Sequence, residues 1–505
     1  SRSVDWAGNI NGAFNKLTEN NSLISMIIGA EIRKNRSENS SLKAAGFYDD
    51  ALNFIGHATG YPTDSKNKPS GNQDLSTEVG FFANANYMYN NRYYADFVYR
   101  LSGSSKFGSN QRYGQFWSGG LGWNLHNENF LKFEKLNLLK IRGSVGYTGK
   151  VNFEPFQSIT MYKYENTLEY LHGIGAIPQT IGNDDLKWER EFSYNIGADI
   201  SLFDRRLNAT LDFYLKRTKD LVLDASIAPS TGVVSGKQNI GEMENKGFEF
   251  SVDGFIIQRN DVWWQLGMNG STNKNRILKI SNALKRQNEL NNDVAPTRQT
   301  PAPLAQYEEG ESTSALKVVR SAGIDPATGR EVFIKLDGTR TFTYSADDKV
   351  VVGDTDPRFY GNVYTNVFYK GFSLYIMGSF KCGGYLYNVT RASRVEGTTG
   401  RTNVDRRAFD SRWKEVGDIA LYRKITEHSV PQQTDRFVEK ENVLTITSVN
   451  LGYEFLQRIC QKMMLRNLRL GVNLSDILRF SNVKVERGLD YLYGNGFEFT
   501  LSTTF

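Results

Sequence analysis

The sequence predicts an all-β chain, an antiparallel transmembrane β-barrel of about 15 strands, on three observations. Apolar and polar residues alternate strictly over stretches of about 10–14 residues, again and again. Aromatic residues gather toward the ends of those stretches, and the links between them alternate between short and long. In a soluble sandwich, strands run roughly 5–6 residues and turn their apolar face to a core; a tilted membrane strand needs about 9–11. Outer-membrane barrels turn the apolar face to lipid and girdle it with aromatics. Their turns are short on the periplasmic side and their loops long on the extracellular side.

Strands are predicted near 3–16, 22–34, 76–89, 92–102, 115–126, 136–148, 186–203, 206–220, 244–257, 262–275, 357–369, 372–383, 442–455, 465–476 and 496–505. Tyr194, Ile196, Ala198, Ile200 and Leu202 alternate with Asn195, Gly197, Asp199 and Ser201. Leu207, Ala209, Leu211, Phe213 and Leu215 alternate with Asn208, Thr210, Asp212, Tyr214 and Lys216. Phe248, Phe250, Val252 and Ile256 oppose Glu249, Ser251 and Asp253, and Leu468, Leu470, Val472 and Leu474 oppose Arg469, Gly471, Asn473 and Ser475. The final stretch sets Phe497, Phe499, Leu501 and Phe505 against Glu498, Thr500, Ser502 and Thr504.

The girdle candidates are Tyr87, Tyr89, Tyr93 and Tyr94; Phe116 and Trp117; Trp263 and Trp264; and Tyr364, Phe368 and Tyr369. Short links fall at 18–21, 90–91, 127–135, 204–205, 258–261, 370–371 and 456–464. Long ones, expected to be extracellular, cover 35–75, 103–114, 149–185, 221–243, 276–356, 384–441 and 477–495. The count is odd and the first strand already runs toward the periplasm, so at least one strand is expected ahead of Ser1. The polar faces put Asp199, Asp212, Lys216, Glu249, Asp253 and Arg469 on a hydrated lumen wall.

Composition narrows the function classes. The 505 residues carry a formal charge of +6, with 46 Gly, 31 Phe, 26 Tyr and only 11 Pro. No run of about 18 apolar residues exists, which excludes a transmembrane helix. Abundant aromatics oppose disorder, and interspersed charges exclude a nucleic-acid-binding arm. The two cysteines, Cys382 near the upper end of a strand and Cys460 in a periplasmic turn, are expected to stay unpaired. His57, His126, His172 and His428 are scattered, outside any G-x-S-x-G or H-E-x-x-H setting. No catalytic residue, metal ligand set, nucleotide loop or cofactor is therefore assigned. Asp325-Pro326-Ala327-Thr328-Gly329 reads as a hairpin turn and lacks the acidic ligand series of a calcium loop.

Six segments in chain order carry a family resemblance. They are Leu139-Lys140-Ile141-Arg142-Gly143-Ser144-Val145-Gly146-Tyr147-Thr148-Gly149, and Ile181-Gly182-Asn183-Asp184-Asp185-Leu186-Lys187-Trp188-Glu189. Arg206-Leu207 through Asp212-Phe213-Tyr214 follows, with Lys219-Asp220-Leu221, and then Asn239-Ile240-Gly241-Glu242-Met243-Glu244-Asn245-Lys246-Gly247-Phe248-Glu249. The last two are Gly353-Asp354 to Pro357-Arg358-Phe359-Tyr360-Gly361, and Val449-Asn450-Leu451-Gly452-Tyr453. Together they resemble SusC/RagA-type TonB-dependent outer-membrane transporters. Arg487-Gly488-Leu489-Asp490-Tyr491 departs from the family's usual pattern in the last extracellular loop.

The resemblance implies a 22-stranded barrel with an N-terminal plug, of which this chain would be the C-terminal portion, the plug lying outside it. It implies import of oligosaccharides, or in some members peptides, beneath a SusD-like surface lipoprotein, powered by TonB–ExbB–ExbD acting through the plug. The setting would be the Gram-negative cell outer membrane of a Bacteroidetes-like cell, in contact with its lipids. Phe505 resembles the C-terminal aromatic signal for membrane insertion.

Sugar C–H faces pack on aromatic rings. Candidate ligand contacts are therefore Tyr162, Tyr164, Tyr170 and His172 in one loop, Trp413 and Tyr422 in another, and Tyr491 and Tyr493 in the last. The competing expectation is that these rings pack loops against each other or against the lipoprotein. Three rival functions remain: a passive porin of about sixteen strands using 276–356 as its eyelet, a barrel hydrolase with a loop His–acid–nucleophile cluster, and a secreted adhesin soluble without detergent.

Overall fold

The alternating stretches form strands far longer than a soluble domain uses. The computed structural model describes residues 1–505 apart from 20, 50, 52–53, 61–69, 152, 171–172, 227–231, 234, 295–300, 399–403, 428, 485–493 and 505; at 165–170, 173–174, 226 and 294 it describes the backbone alone.

The first strands are β1 (Arg2–Leu17), β2 (Ser22–Ser41), β3 (Ser70–Tyr89), β4 (Tyr93–Ser104), β5 (Tyr113–Asn124), β6 (Leu136–Lys150), β7 (Met161–Tyr170) and β8 (Gly173–Thr180). Next come β9 (Glu189–Leu202), β10 (Leu207–Ser226), β11 (Ser235–Arg259), β12 (Val262–Lys279) and helix α1 (Asn282–Val294). Four short strands follow, β13 (Ala315–Ile324), β14 (Glu331–Ile334), β15 (Arg340–Thr341) and β16 (Lys349–Asp354). The chain continues through β17 (Phe359–Tyr369), β18 (Phe372–Tyr387), α2 (Arg407–Asp410), β19 (Val438–Glu454), α3 (Gln457–Lys462), β20 (Asn467–Ser481) and β21 (Gly496–Thr504).

Fifteen of these strands hydrogen-bond into one sheet in the order β1-β2-β3-β4-β5-β6-β9-β10-β11-β12-β17-β18-β19-β20-β21. The order is sequential, as up-and-down antiparallel pairing requires. Tight turns set the register. Asn90 and Asn91 sit at φ 47° and 53°, and Lys370 and Gly371 at 45° and 92°. Two consecutive left-handed residues make the primed hairpin turn whose twist matches the strands it joins. β17 and β18 then pair without a slip from Tyr369↔Phe372 to Phe359↔Cys382.

Two compact units share the chain. The first comprises Ser1–Leu121, Val145–Phe192 and Thr218–Ile240; the second comprises Gly122–Ser144, Ser193–Arg217 and Gly241–Phe505. In the first, Trp6, Ile10, Phe14, Phe81 and Phe97 project outward at 50–75% exposure, while Ser102 and Ser104 of β4 are buried. In the second, Ile196, Phe213, Phe497 and Phe499 are exposed, while Ser201 and Asn124 are buried. Water would penalise such an exposed apolar face at roughly 25 cal/mol per Å². The inversion decides between the two homes that alternating strands can have: these apolar faces suit lipid.

The second unit also contains a conventional core, in segments that the alternation pattern leaves as loops. Within 276–356, α1 precedes a four-stranded sheet in the order β15-β14-β13-β16. Leu316, Val318, Tyr387, Ala392 and Phe437 form one cluster there, and Val395, Ala408 and Tyr422 another. Val318 and Val319 are adjacent and both fully buried. A strand buried on both faces has no period of two, so the alternation criterion passes over it. The turn expected at Asp325–Gly329 is present: Asp325 N–H donates to Arg330 O, and Thr328 Oγ1 donates to Asp325 Oδ2 at 2.6 Å.

The strands also outrun the sequence boundaries. β2 continues to Ser41, β3 begins at Ser70, β11 is 25 residues long, and 149–185 contains the β7–β8 hairpin. Past the lipid both faces of a strand can be polar, so alternation stops before the hydrogen-bonded ladder does. Cys382 and Cys460 are free thiols.

Two motif glycines have a steric reason. A Cβ on Gly247 would lie 2.0 Å from Thr272 O, and one on Gly361 would lie 2.0 Å from Asn269 O. Both collisions are with backbone, which cannot rotate away. Gly361→Val is expected to abolish the folded form, read as loss of the heat-modifiable band in unboiled gel samples of the full-length protein; a normal band would refute the steric account.

Candidate functional site

The polar faces of neighbouring strands converge on charged clusters. On the second unit, Arg142 of β6 donates through one Nη to Asp212 of β10 at 2.6 Å and through Nε to Asp199 of β9 at 3.2 Å. Its other Nη reaches Asn195 Oδ1 at 3.4 Å. Gly197 lies beneath the cluster, where a Cβ would approach Asp212 Oδ1 to 2.6 Å. Asp212 Oδ1 is buried without a hydrogen-bond partner, so the carboxylate keeps acceptor capacity in reserve.

Of the other expected lumen charges, Asp253 accepts from Gln265 Nε2 at 3.2 Å and from Asn208 Nδ2 at 3.4 Å. Glu249 and Asp212 line one cleft of about 310 Å³ with Thr210, Ser251, Asn269 and Asn362. Lys216 Nζ sits 5.3 Å from the centre of the Tyr214 ring. Arg469 lies apart from these, on β20 opposite Glu454 and Ser502. The structure therefore gathers Asp199, Asp212 and Glu249 in one region. Arg142, which organises two of them, was missed, although its place between exposed Ile141 and the Gly143 position marks it as polar-face by parity.

On the first unit, a second group of charges and rings is built from the family motifs themselves. Leu186 is fully buried, Phe107 is 1% exposed, and Trp188 lies 4.3 Å from Phe107 and 5.2 Å from Phe116. Asn239 Oδ1 accepts from Lys187 N–H at 2.9 Å, while Nδ2 donates to Lys187 O at 2.7 Å and Asp220 O at 2.9 Å. Lys187 and Asp220 form an ion pair at 3.2 Å, and Arg190 also pairs with Asp220. Three of the six resemblance segments thus clasp one another through a single asparagine and a single aspartate. Asn239 has a folding role here, since an Asn that satisfies three backbone groups has no substitute of equal geometry.

The aromatic candidates separate by burial. Tyr162 and Tyr164 are 64% and 73% exposed. Tyr422 is 5% exposed against Val395 and Ala408, so its ring is core and is not open to a ligand. Trp413 donates its indole N–H to Pro326 O at 2.9 Å, and its ring lies under Gly329, so it ties two loops together. The side chain of Tyr170, and His172, Tyr491, Tyr493, Phe505 and His428 altogether, lie outside the described residues. Among the described residues no group of three or more His, Cys, Asp or Glu could hold a metal.

A long antiparallel sheet with an exposed apolar face and a charge-lined polar face defines an outer-membrane β-barrel wall. The model of the TonB dependent receptor-like, beta-barrel family matches residues 2–413, and the chain belongs to that family. It is an outer-membrane protein. TonB-dependent receptor P3 of Formosa agariphila is 27% identical over 496 residues, covering 93% of this chain and 48% of that protein. TonB-dependent receptor SusC of Bacteroides thetaiotaomicron is 35% identical over 214 residues, 41% of this chain and 21% of that protein. The chain spans about half the length of the most extensively matched relatives. The solved RagAB peptide transporter superposes with a TM-score of 0.84 at 21% identity, over 99% of this chain and 55% of that one. That likeness establishes the fold.

Proposed function

We propose that this chain forms part of the wall of a TonB-dependent importer of oligosaccharides delivered by a SusD-like surface lipoprotein. The observation that carries the reading is the inverted sheet: apolar residues outward and the Arg142–Asp199–Asp212 cluster on the polar face. Charged and amide groups on that face suit a hydrated passage that a polar solute can cross. The relative named SusC and the family match support the TonB-dependent part of this reading. The work is binding and translocation without covalent chemistry, with energy supplied by TonB. Exposed Tyr162 and Tyr164 are the rings available to a sugar face.

The test uses the full-length protein with its neighbouring lipoprotein. Labelled oligosaccharides and labelled peptides are offered to cells with and without TonB. Glycan uptake that disappears without TonB is the expected result. Uptake indifferent to TonB would make the protein a porin, and TonB-dependent uptake of peptides alone would refute the glycan assignment.

A further inference from the structure

The outward face of β11 and β12 changes character over a few residues. Phe248 and Phe250 have ring centres 6.2 Å apart, Phe250 lies 6.0 Å from Phe359, and Phe359 lies 5.1 Å from Phe380. Leu266, Met268 and Val363 extend this apolar band toward the short Gln258–Asp261 link. In the opposite direction, the same face carries Lys246 and Glu244 on β11, and Lys274 and Arg276 on β12. Alternation fixes this: Lys246 is two residues from Phe248, about 7 Å along the strand.

Lys246 and Lys274 are direct cross-strand partners. Like charges placed opposite each other destabilise a sheet unless an anion lies between them. Arg276 pairs in register with Glu244, and the Lys246–Lys274 rung has no acidic member. Above the last β12–β17 rung, Ser271↔Tyr360, the ladder opens into a cleft of about 630 Å³. Lys246, Lys274, Arg276 and Arg358 line it, together with Glu244, Asp354 and Asp356. Asp354 is already engaged by Ser314 Oγ at 2.5 Å and by the Asp356 N–H at 3.0 Å. Lys246, Lys274, Arg276 and Arg358 make no ion pair among the described residues.

We propose that this cleft binds the phosphate of an outer-leaflet lipid headgroup, with the acyl chains lying over Phe248, Phe250, Phe359 and Phe380. The cations stand at the strand ends that carry the long connection, the extracellular side in bacterial barrels. Basic side chains immediately beyond an aromatic belt are at headgroup depth, where they attract an anionic lipid. The proposal needs the outer-membrane location and is independent of what the protein imports.

The experiment uses delipidated full-length protein in detergent, titrated in native mass spectrometry with bisphosphorylated lipid A, with its dephosphorylated form, and with inorganic phosphate alone. Lys246→Gln/Lys274→Gln is expected to weaken retention of the phosphorylated lipid by about tenfold or more. Lys246→Arg/Lys274→Arg should retain it, and Lys462→Gln, on α3, should behave as wild type. The heat-modifiable band verifies that each variant is folded. Equal retention by wild type and the Gln variant would overturn the proposal. Equal retention of the dephosphorylated lipid would also overturn it, because the apolar belt alone would then hold the lipid. Inorganic phosphate binding as tightly as the phosphorylated lipid would assign the cleft to a free anion.

Discussion

Arg436→Ala is expected to unfold the small subdomain formed by 312–354 and 388–438 while leaving the strand wall folded. Arg436 donates to Glu331 at 2.7 Å and to Glu396 at 2.8 and 2.9 Å, and Arg423 pairs with Glu396 at 2.7 Å. Glu396 is fully buried and Glu331 nearly so. Burial alone would lower the Arg436 pKa, but the two carboxylates outweigh it and hold the guanidinium above its ordinary value. Removing the cation strands Glu331 in a low-dielectric interior and leaves Glu396 with Arg423 alone, a loss of about 3–5 kcal/mol. Such a loss is comparable to the whole stability of a small domain. Hydrogen exchange over 312–354 and 388–438 should rise to near-unprotected rates, and limited proteolysis should cut there, with the heat-modifiable band retained. Exchange like wild type would show that Arg423 and Arg412 suffice to neutralise the pair. Replacing Arg436 and Glu331 together by apolar residues, with the Arg423–Glu396 pair kept, should cost far less, because the penalty belongs to the unpaired charge.

That network also shows where sequence reading ends. The wall was legible because lipid and water impose opposite demands on alternate side chains, as in Ile196 against Asp199 or Phe213 against Asp212. The strand order followed from short and long links, and Asn90, Asn91 and Gly371 are residue types that two-residue turns favour. The subdomain was invisible for the converse reason. Val318 and Val319 are buried on both faces, β14 spans only Glu331–Ile334, and Glu331, Glu396, Arg423 and Arg436 look like any loop charges until the fold brings them together. Among site residues, Asp199 and Asp212 could be placed by parity, but nothing local to either announces a shared guanidinium 57 and 70 positions away. Tyr422 was a plausible ligand ring only while its neighbours Val395 and Ala408 were unknown.

Arg142→Ala is expected to lower both stability and uptake, and the pairing variant separates the two. With Arg142 gone, Asp199 and Asp212 face each other without a cation, one side chain 27% and the other 17% exposed. Water and salt screen part of that repulsion, so the loss should be about 1–3 kcal/mol, below the figure for a fully buried pair. Asp212→Asn in the Arg142→Ala background removes one of the two like charges and should restore most of the thermal stability, read from the temperature at which the heat-modifiable band disappears. If Arg142 is only a strut in the wall, uptake by the double variant recovers alongside stability. If the cluster's charge pattern guides solute, stability returns and uptake does not, and the deficit should shrink as ionic strength rises and screens the wall. A double variant as unstable as Arg142→Ala would mean that the guanidinium acts through Asp199 and Asn195, and the pairwise account of the cluster would fail.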